Sequence, residues 1–452
     1  MEESREKLAS RLGFILLSAG CAIGCGNVWK FPWMCGQYGG GAFVVIYLIF
    51  LIILGLPVMT MEFSLGRAAQ ASPVRMYHSL GVAKPWRAHG YAALAANLLL
   101  MMFYTSVAGW ILYYFVKTLF GNFTEMPADT LNQQFGNMLS NPLIMVGFMA
   151  IVVVLGFFIL SFGLQKGLER VNNYMMVALF AIMLVLAVHG FTLSGAGSGL
   201  KFYLIPDFSK ITTDVIVGAM NQAFFTLSLG IGSMAIFGSY IGKERSLMGE
   251  SVNVIILDTI VAIVAGLIIF PACFTFNIEP SAGPSLLFEA MANVFRDMSG
   301  GRWWGAFFFL FMFFAAMSTV LAVFENILAC LRELTNWSRR KTSIICCLGL
   351  LVLSLPCALG FNILSDIKPF GAGTGIMDLE DFLVSNCLLP LGSLTIVIFC
   401  TWKKGWGWDN FTAEANAGKG LKVKKWLYGY CKFILPAIII AIFIIGIIDF
   451  FK

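Results

Sequence analysis

The stretch Gly20-Cys21-Ala22-Ile23-Gly24-Cys25-Gly26-Asn27-Val28-Trp29-Lys30-Phe31-Pro32 interrupts an apolar run with glycines, an asparagine, a lysine and a proline. These residues favour a break in a helix over its continuation. A second run, Thr226-Leu227-Ser228-Leu229-Gly230-Ile231-Gly232-Ser233, places glycines and hydroxyls inside another apolar segment. Broken helix ends present N–H groups with partial positive charge and C=O groups with partial negative charge. Two breaks facing each other suit a carboxylate beside small cations, that is, a zwitterion bound together with Na⁺. In hydrocarbon each unsatisfied backbone group costs several kcal/mol, so both breaks must be buried in protein or line a wet cavity.

The elements that carry these breaks follow from hydropathy. Of the 452 residues, 59% are hydrophobic and 12% charged, with a mean hydropathy of +0.84. A soluble domain has about 25% charged residues, so the chain reads as a polytopic membrane protein. Eleven spans are predicted, near 12–37, 42–69, 88–120, 142–161, 168–190, 213–240, 249–273, 303–331, 342–359, 379–402 and 425–450. The breaks fall in the first and sixth. Those two are equivalent if the chain consists of two five-span halves and an extra helix, and paired glycine-interrupted spans point to a binding site between inverted repeats. The organisation expected is a cytoplasmic segment 1–11, a first repeat 12–190, an extracellular loop 191–212, a second repeat 213–402, a cytoplasmic loop 403–424 and a last span in 425–452.

Basic residues fix the orientation. Arg5, Lys7 and Arg11, then Arg67 to Arg87, Lys166 and Arg170, Lys243 and Arg245, Arg332 to Lys341, and Lys403 to Lys425 all fall on one side. That side is cytoplasmic by the positive-inside rule, as is the N-terminus. The net charge of +6 therefore gives no indication of nucleic acid binding. The eleven cysteines lie mostly within apolar segments, which argues against a disulfide framework. The three histidines form no ligand cluster, and Cys21 with Cys25 lacks partners for a metal site. No Gly-rich phosphate loop and no nucleophile and base pair stands out, which argues against an enzyme.

The wording of the motifs is more specific. Arg11-Leu12-Gly13-Phe14, Gly24 to Pro32, Gly39-Gly40-Gly41-Ala42-Phe43, Glu62-Phe63-Ser64-Leu65-Gly66-Arg67 and Phe224 to Gly230 resemble the neurotransmitter:sodium symporter family. The resemblance runs through nearly the whole chain, in order. It is similar to the bacterial branch that carries leucine and hydrophobic amino acids, and it implies an all-α LeuT-type fold in the bacterial inner membrane with no obligate protein partner.

The resemblance also implies sites. One Na⁺ would be held by Ala22, Asn27, Thr226, the substrate carboxylate and Asp258, where the family commonly has Asn. A second would be held by carbonyls of Gly20, Ile23 and Ala315 with the hydroxyls of Ser318 and Thr319, oxygen ligation that suits a hard cation. The substrate pocket would comprise Cys21, Ala22, Gly24, Cys25, Gly26, Leu100, Tyr104, Phe225, Thr226, Ser228, Ile231, Ser318, Thr319 and Val323. Tyr104 would bind the carboxylate and Phe225 would cover it. Family members that take amines carry Asp where Gly24 stands, which favours a free amino acid with a hydrophobic or aromatic side chain. Tyr47, Gln222 and Thr226 occupy chloride-site positions, but Ala262 replaces a hydroxyl there, so chloride-independent transport is expected with Asp258 as the fixed charge. Lys30 with Asp381 and Arg5 with Glu333 are the implied outer and inner gates. Glu62 would accept hydrogen bonds from N–H groups freed at the breaks, whereas Glu325 has no assigned partner. The alternatives are a non-transporting amino acid sensor of the same fold and a symporter for a γ-amino acid. A channel is disfavoured because its filter arises from repeated subunits around an axis.

Overall fold

The computed structural model describes residues 6–123, 126–279 and 286–451. Among them it is helical, with one isolated bridge between Arg245 and Lys419 and no strand. Nine helices are long and apolar enough to cross a bilayer: 41–69, 84–119, 142–161, 164–191, 247–275, 301–335, 339–359, 376–401 and 427–448. A tenth crossing is the bent pair Arg11–Ala22 and Gly26–Gln37, whose axes differ by 54°. The sixth expected span is present as Thr213–Thr226 and Ser233–Gly238, two pieces each too short to cross alone. Every segment read from hydropathy therefore has a helical counterpart.

Local chemistry explains both interruptions. Ile23 leaves the helix with extended backbone (φ −70°, ψ 99°), and the chain resumes as a wide turn over Gly26–Lys30. Pro32 follows directly on that wide turn, which runs without a break into Phe31–Gln37. In the sixth segment Ser228, Gly230 and Gly232 have φ of 49°, 91° and 75°. That left-handed region is open to glycine and costly for serine, so Ser228 is a strained position held by its surroundings.

Two long helices, Lys84–Leu119 and Gly301–Thr335, lie against each other and form the wall that both breaks face. Leu56–Ala69 packs on Ser233–Gly238 so closely that a Cβ on Gly66 would strike the carbonyl of Ala235. Large apolar side chains such as Leu143, Phe158, Tyr174 and Val352 are exposed on the periphery, as a lipid-facing surface requires.

The loop expected between spans over 403–424 carries a short helix, Trp408–Ala415. Its Glu414 meets Arg67 at 2.6 Å and Lys243 at 3.0 Å. Arg67 is fully enclosed and also donates to the carbonyls of Gly242, Arg245 and Glu414. Periodicity could not reveal this knot, whose partners are 347 residues apart. The charge bias had nevertheless put all three segments on the same side of the membrane. The N-terminal helix is anchored there as well: Arg11 pairs with Glu250, and Glu169 accepts from the N–H groups of Ala9 and Ser10.

Removing one member of a buried pair leaves the other charge uncompensated, at about 3–5 kcal/mol. Glu414→Ala is therefore expected to lower the thermal unfolding midpoint of the detergent-solubilised protein markedly, whereas Asp409→Ala on the exposed face of the same helix should leave it nearly unchanged.

Candidate functional site

The two breaks come together against the long helices, and their freed backbone groups are satisfied one by one. Glu62, fully buried, accepts from the N–H groups of Gly230 (3.1 Å) and Met234 (3.3 Å), as expected from the sequence. The carbonyl of Ile231 accepts from Asn97 Nδ2 at 2.7 Å and from Asn326 Nδ2 at 3.5 Å. His89 Nε2 lies 3.2 Å from the carbonyl of Gly230, and His89 Nδ1 lies 2.8 Å from the Tyr77 hydroxyl. At the first break Gln222 Nε2 donates to the carbonyl of Gly26 (2.7 Å), and the Tyr104 hydroxyl accepts from the N–H of Cys25 (2.9 Å). Asn97 and Asn326 were not singled out from the sequence, and His89 only as one of three histidines that form no ligand cluster. The available signal was three uncharged polar groups within apolar helices, a costly placement unless each has a partner.

Asn27 links the first break to the seventh segment. Its Oδ1 accepts from the N–H of Gly24 (3.1 Å), while its Nδ2 donates to Asp258 Oδ1 (2.8 Å) and to the Asp258 carbonyl (3.1 Å). Thr226 Oγ1 lies 3.4 Å from the same Oδ1. Asp258 Oδ2 is buried with no hydrogen-bond partner among the described residues. An orphaned carboxylate oxygen in a dry site, next to a threonine hydroxyl, is a fitting ligand for a small cation.

One turn away, hydroxyls and carbonyls converge a second time. Ser318 Oγ lies 2.9 Å from the carbonyl of Ala315 and 3.3 Å from that of Ile23. Thr319 Oγ1 lies 3.3 Å from the carbonyl of Gly20, 3.3 Å from that of Cys21 and 3.2 Å from that of Ile23. Ala19 takes the N–H of Ile23 in the last helical bond, so the carbonyls that follow have no helical donor. This set of neutral oxygens also suits a hard monovalent cation. Among the described residues no cluster of histidine, cysteine and carboxylate side chains suggests a transition metal.

Between the two clusters lies a cavity of about 20 Å³, room for about one water. Ala22, Gly24, Gly26, Leu100, Tyr104, Phe225, Thr226, Ser228 and Thr319 line it as expected, and Leu389 joins them. Cys21, Cys25, Ile231, Ser318 and Val323 do not reach its wall. Cys25 and Ile231 contribute backbone groups to Tyr104 and Asn97, and Ser318 turns to the carbonyl cluster. A Cβ on Gly24 would strike both the Tyr104 hydroxyl and Thr319 Oγ1, so no acidic side chain fits at that position.

The expected gates fare differently. Lys30 and Asp381 are not joined: the Lys30 ammonium sits 3.9 Å from the centre of the Phe225 ring, and Asp381 accepts from the Ser385 hydroxyl at 2.6 Å. The ring face competes for the cation, and a lysine can take either partner because it has no fixed fork geometry. Arg5 lies outside the described residues. Glu333 accepts from the N–H and hydroxyl of Ser72. Glu325 has partners after all: it accepts from the Tyr240 hydroxyl (2.9 Å) and pairs with Arg339, which in turn reaches Glu6 at 3.7 Å.

This arrangement can be set beside known proteins. The model of the sodium:neurotransmitter symporter family matches residues 5–137 and 133–452. The chain belongs to that family. An uncharacterized sodium-dependent transporter of Bacillus subtilis is 35% identical over 99% of this chain and 100% of its own length. A Drosophila melanogaster sodium-dependent serotonin transporter is 26% identical over 73% of this chain and 60% of its own. The crystal structure of MhsT in complex with L-phenylalanine superposes with a TM-score of 0.88 at 36% identity, covering 97% of this chain and 99% of that one. The protein is thus a multi-pass, sodium-dependent membrane transporter and not an enzyme.

Within this symporter, Asn97→Leu would leave the Ile231 carbonyl only the long 3.5 Å contact to Asn326 and would take away the acceptor that the Ser233 hydroxyl meets at 3.4 Å. An unsatisfied buried group costs about 1–3 kcal/mol, so the variant is expected to unfold at lower temperature, with Asn97→Gln recovering part of the loss.

Proposed function

We propose that the symporter imports a neutral L-amino acid with a hydrophobic or aromatic side chain, driven by Na⁺ at two sites and independently of chloride. The single observation that carries this reading is the pair of oxygen clusters, one around Asp258 and Thr226 and one around Ser318 and Thr319, flanking a small cavity where both helices are broken. The first cluster would be completed by the substrate's own carboxylate, with Asn27 and Ala22. Tyr104 stands at the cavity wall to orient that carboxylate. Leu100, Phe225 and Leu389 offer apolar contact to a side chain, and the absence of space for an acid at Gly24 disfavours a monoamine. That MhsT was solved with L-phenylalanine supports the same side-chain class. The cavity is smaller than such a ligand, so Phe225 and its neighbours must move apart to admit it.

The wider reading goes with it. Two five-helix inverted repeats, 12–190 and 213–402, carry the breaks at equivalent places, the N-terminus is cytoplasmic, and transport proceeds by rocking of one bundle against the other in a bacterial inner membrane. A potential of ~100 mV contributes ~2.3 kcal/mol per charge and a tenfold gradient about 1.4. Two Na⁺ ions therefore supply roughly 7 kcal/mol, and one about half of that.

The test is uptake of radiolabelled L-phenylalanine, L-leucine, L-tryptophan and γ-aminobutyrate into proteoliposomes under an inward Na⁺ gradient, then with K⁺ in its place. Accumulation of the hydrophobic amino acids under Na⁺ alone is expected; saturable binding without accumulation would mark a sensor, and γ-aminobutyrate as the preferred solute would overturn the substrate class. Replacing chloride by gluconate should leave uptake unchanged. Thr319→Val keeps the shape and removes one oxygen, so the apparent Na⁺ affinity should fall roughly tenfold or more, the loss typical of a contact to a charge. An unaltered Na⁺ dependence in that variant would remove the second cation site from the scheme.

A further inference from the structure

A second crevice, wider than the cavity between the breaks, lies elsewhere in the molecule. A cleft of about 480 Å³ opens between Lys84–Leu119 and the helix Leu389–Thr401. Trp86, His89 and Ala92 form one wall, Leu391 and Thr395 the other, and Gly230 the floor. The volume is within the range of ligand-holding clefts, roughly 300–1,000 Å³. Its lining is nearly all apolar. Ala88, Ala92 and Leu391 are exposed along it, on helices that cross the membrane, so the cleft faces hydrocarbon and not water.

Its mouth is basic. Trp86 Nε1 donates to the carbonyl of Lys404 at 3.1 Å, which holds the turn after Thr401 beside the cleft. Lys403 and Lys404 are exposed in that turn, and exposed Lys84 precedes Pro85, a lining residue. No acidic residue occurs in 82–100 or 382–407, so nothing in either wall segment neutralises these lysines. An indole at the end of a span marks the level of the headgroups. An apolar slot within the bilayer that ends in three lysines at that level matches an amphiphile with one long chain inserted and an anionic group at the interface.

We propose that the cleft is a binding site for an anionic phospholipid, with one acyl chain against His89 and Gly230 and the phosphate among Lys84, Lys403 and Lys404. The floor gives the site its interest. The N–H of Gly230 is held by Glu62 and its carbonyl by His89, and Gly392 packs on that carbonyl without room for a Cβ. A chain in the cleft thus packs directly behind the second break and fills the space into which that segment could otherwise relax.

The test uses full-length protein in nanodiscs and phosphatidylglycerol carrying a photoactivatable group in its acyl chain, with the matching phosphatidylcholine as control. Labelled peptides are mapped by mass spectrometry, a readout that requires no transport and so stands or falls separately from the substrate reading. Labelling of 85–96 and 388–395 is expected, with phosphatidylglycerol preferred over phosphatidylcholine by about fivefold per lysine engaged. Ala92→Trp, which fills the cleft, should remove labelling from those peptides and spare labels elsewhere. Combined Lys84→Gln, Lys403→Gln and Lys404→Gln, all at exposed positions that cannot unfold the protein, should reduce phosphatidylglycerol to the phosphatidylcholine level. Equal labelling by the two lipids in the wild type, or unchanged labelling in the tryptophan variant, overturns the proposal. So does loss of the preference in excess inorganic phosphate, which would reveal a surface site for free anions.

Discussion

Everything in this structure depends on one constraint: two helices are broken within membrane-spanning segments, away from bulk water. Each freed group must find a partner within the protein or cost several kcal/mol. Glu62 answers for two N–H groups, Asn97 and Asn326 for one carbonyl, His89 for another and Gln222 for a third. These side chains come from the second, third, sixth and eighth spans. The breaks are therefore held by the whole bundle, and the close contact at Gly66 is what brings the second span within reach of the sixth.

Some backbone groups are left without a helical donor, and they account for the chemistry. The carbonyls of Gly20 and Ile23 meet only hydroxyls, and a hydroxyl can give up its hydrogen bond and turn its lone pairs to a cation. Asp258 brings a full charge to the same depth, paired with an amide on one oxygen and with nothing described on the other. In the proposed scheme, structural satisfaction and ion binding are divided by residue type: carboxamides and Glu62 close what must stay closed, while hydroxyls and Asp258 are the groups offered to Na⁺.

Much of this was legible in the sequence because it is local. Glycine density marked both breaks, hydropathy marked every span, and the proposed oxygen ligands lie in the motifs that resemble the family. Glu62 could be assigned because an acid in an apolar helix requires donors. The remainder is a matter of pairing across distance. Nothing near Asn97 in the chain says that it faces Ile231, 134 residues away. Glu325 had no legible role because its partners, Tyr240 and Arg339, come from two other segments. The helix at 408–415 was hidden by its polar composition and is defined by the arginine that it neutralises. The wall of the small cavity was less legible for a similar reason: residue type identified the neighbourhood, but which of Cys25, Ile231 and Val323 present backbone, side chain or neither to it depends on the turn of each broken helix.

The contact between Lys30 and Phe225 has a consequence of its own. The ring is part of the cavity wall, and the ammonium rests on its outer face. A molecule that rotates or lifts the ring changes the surface on which the ammonium rests, and so alters how firmly that cation is held. A single aromatic plane thus lines the cavity on one face and carries a charge on the other, in the manner of a diaphragm, with no relay of intermediate residues between them.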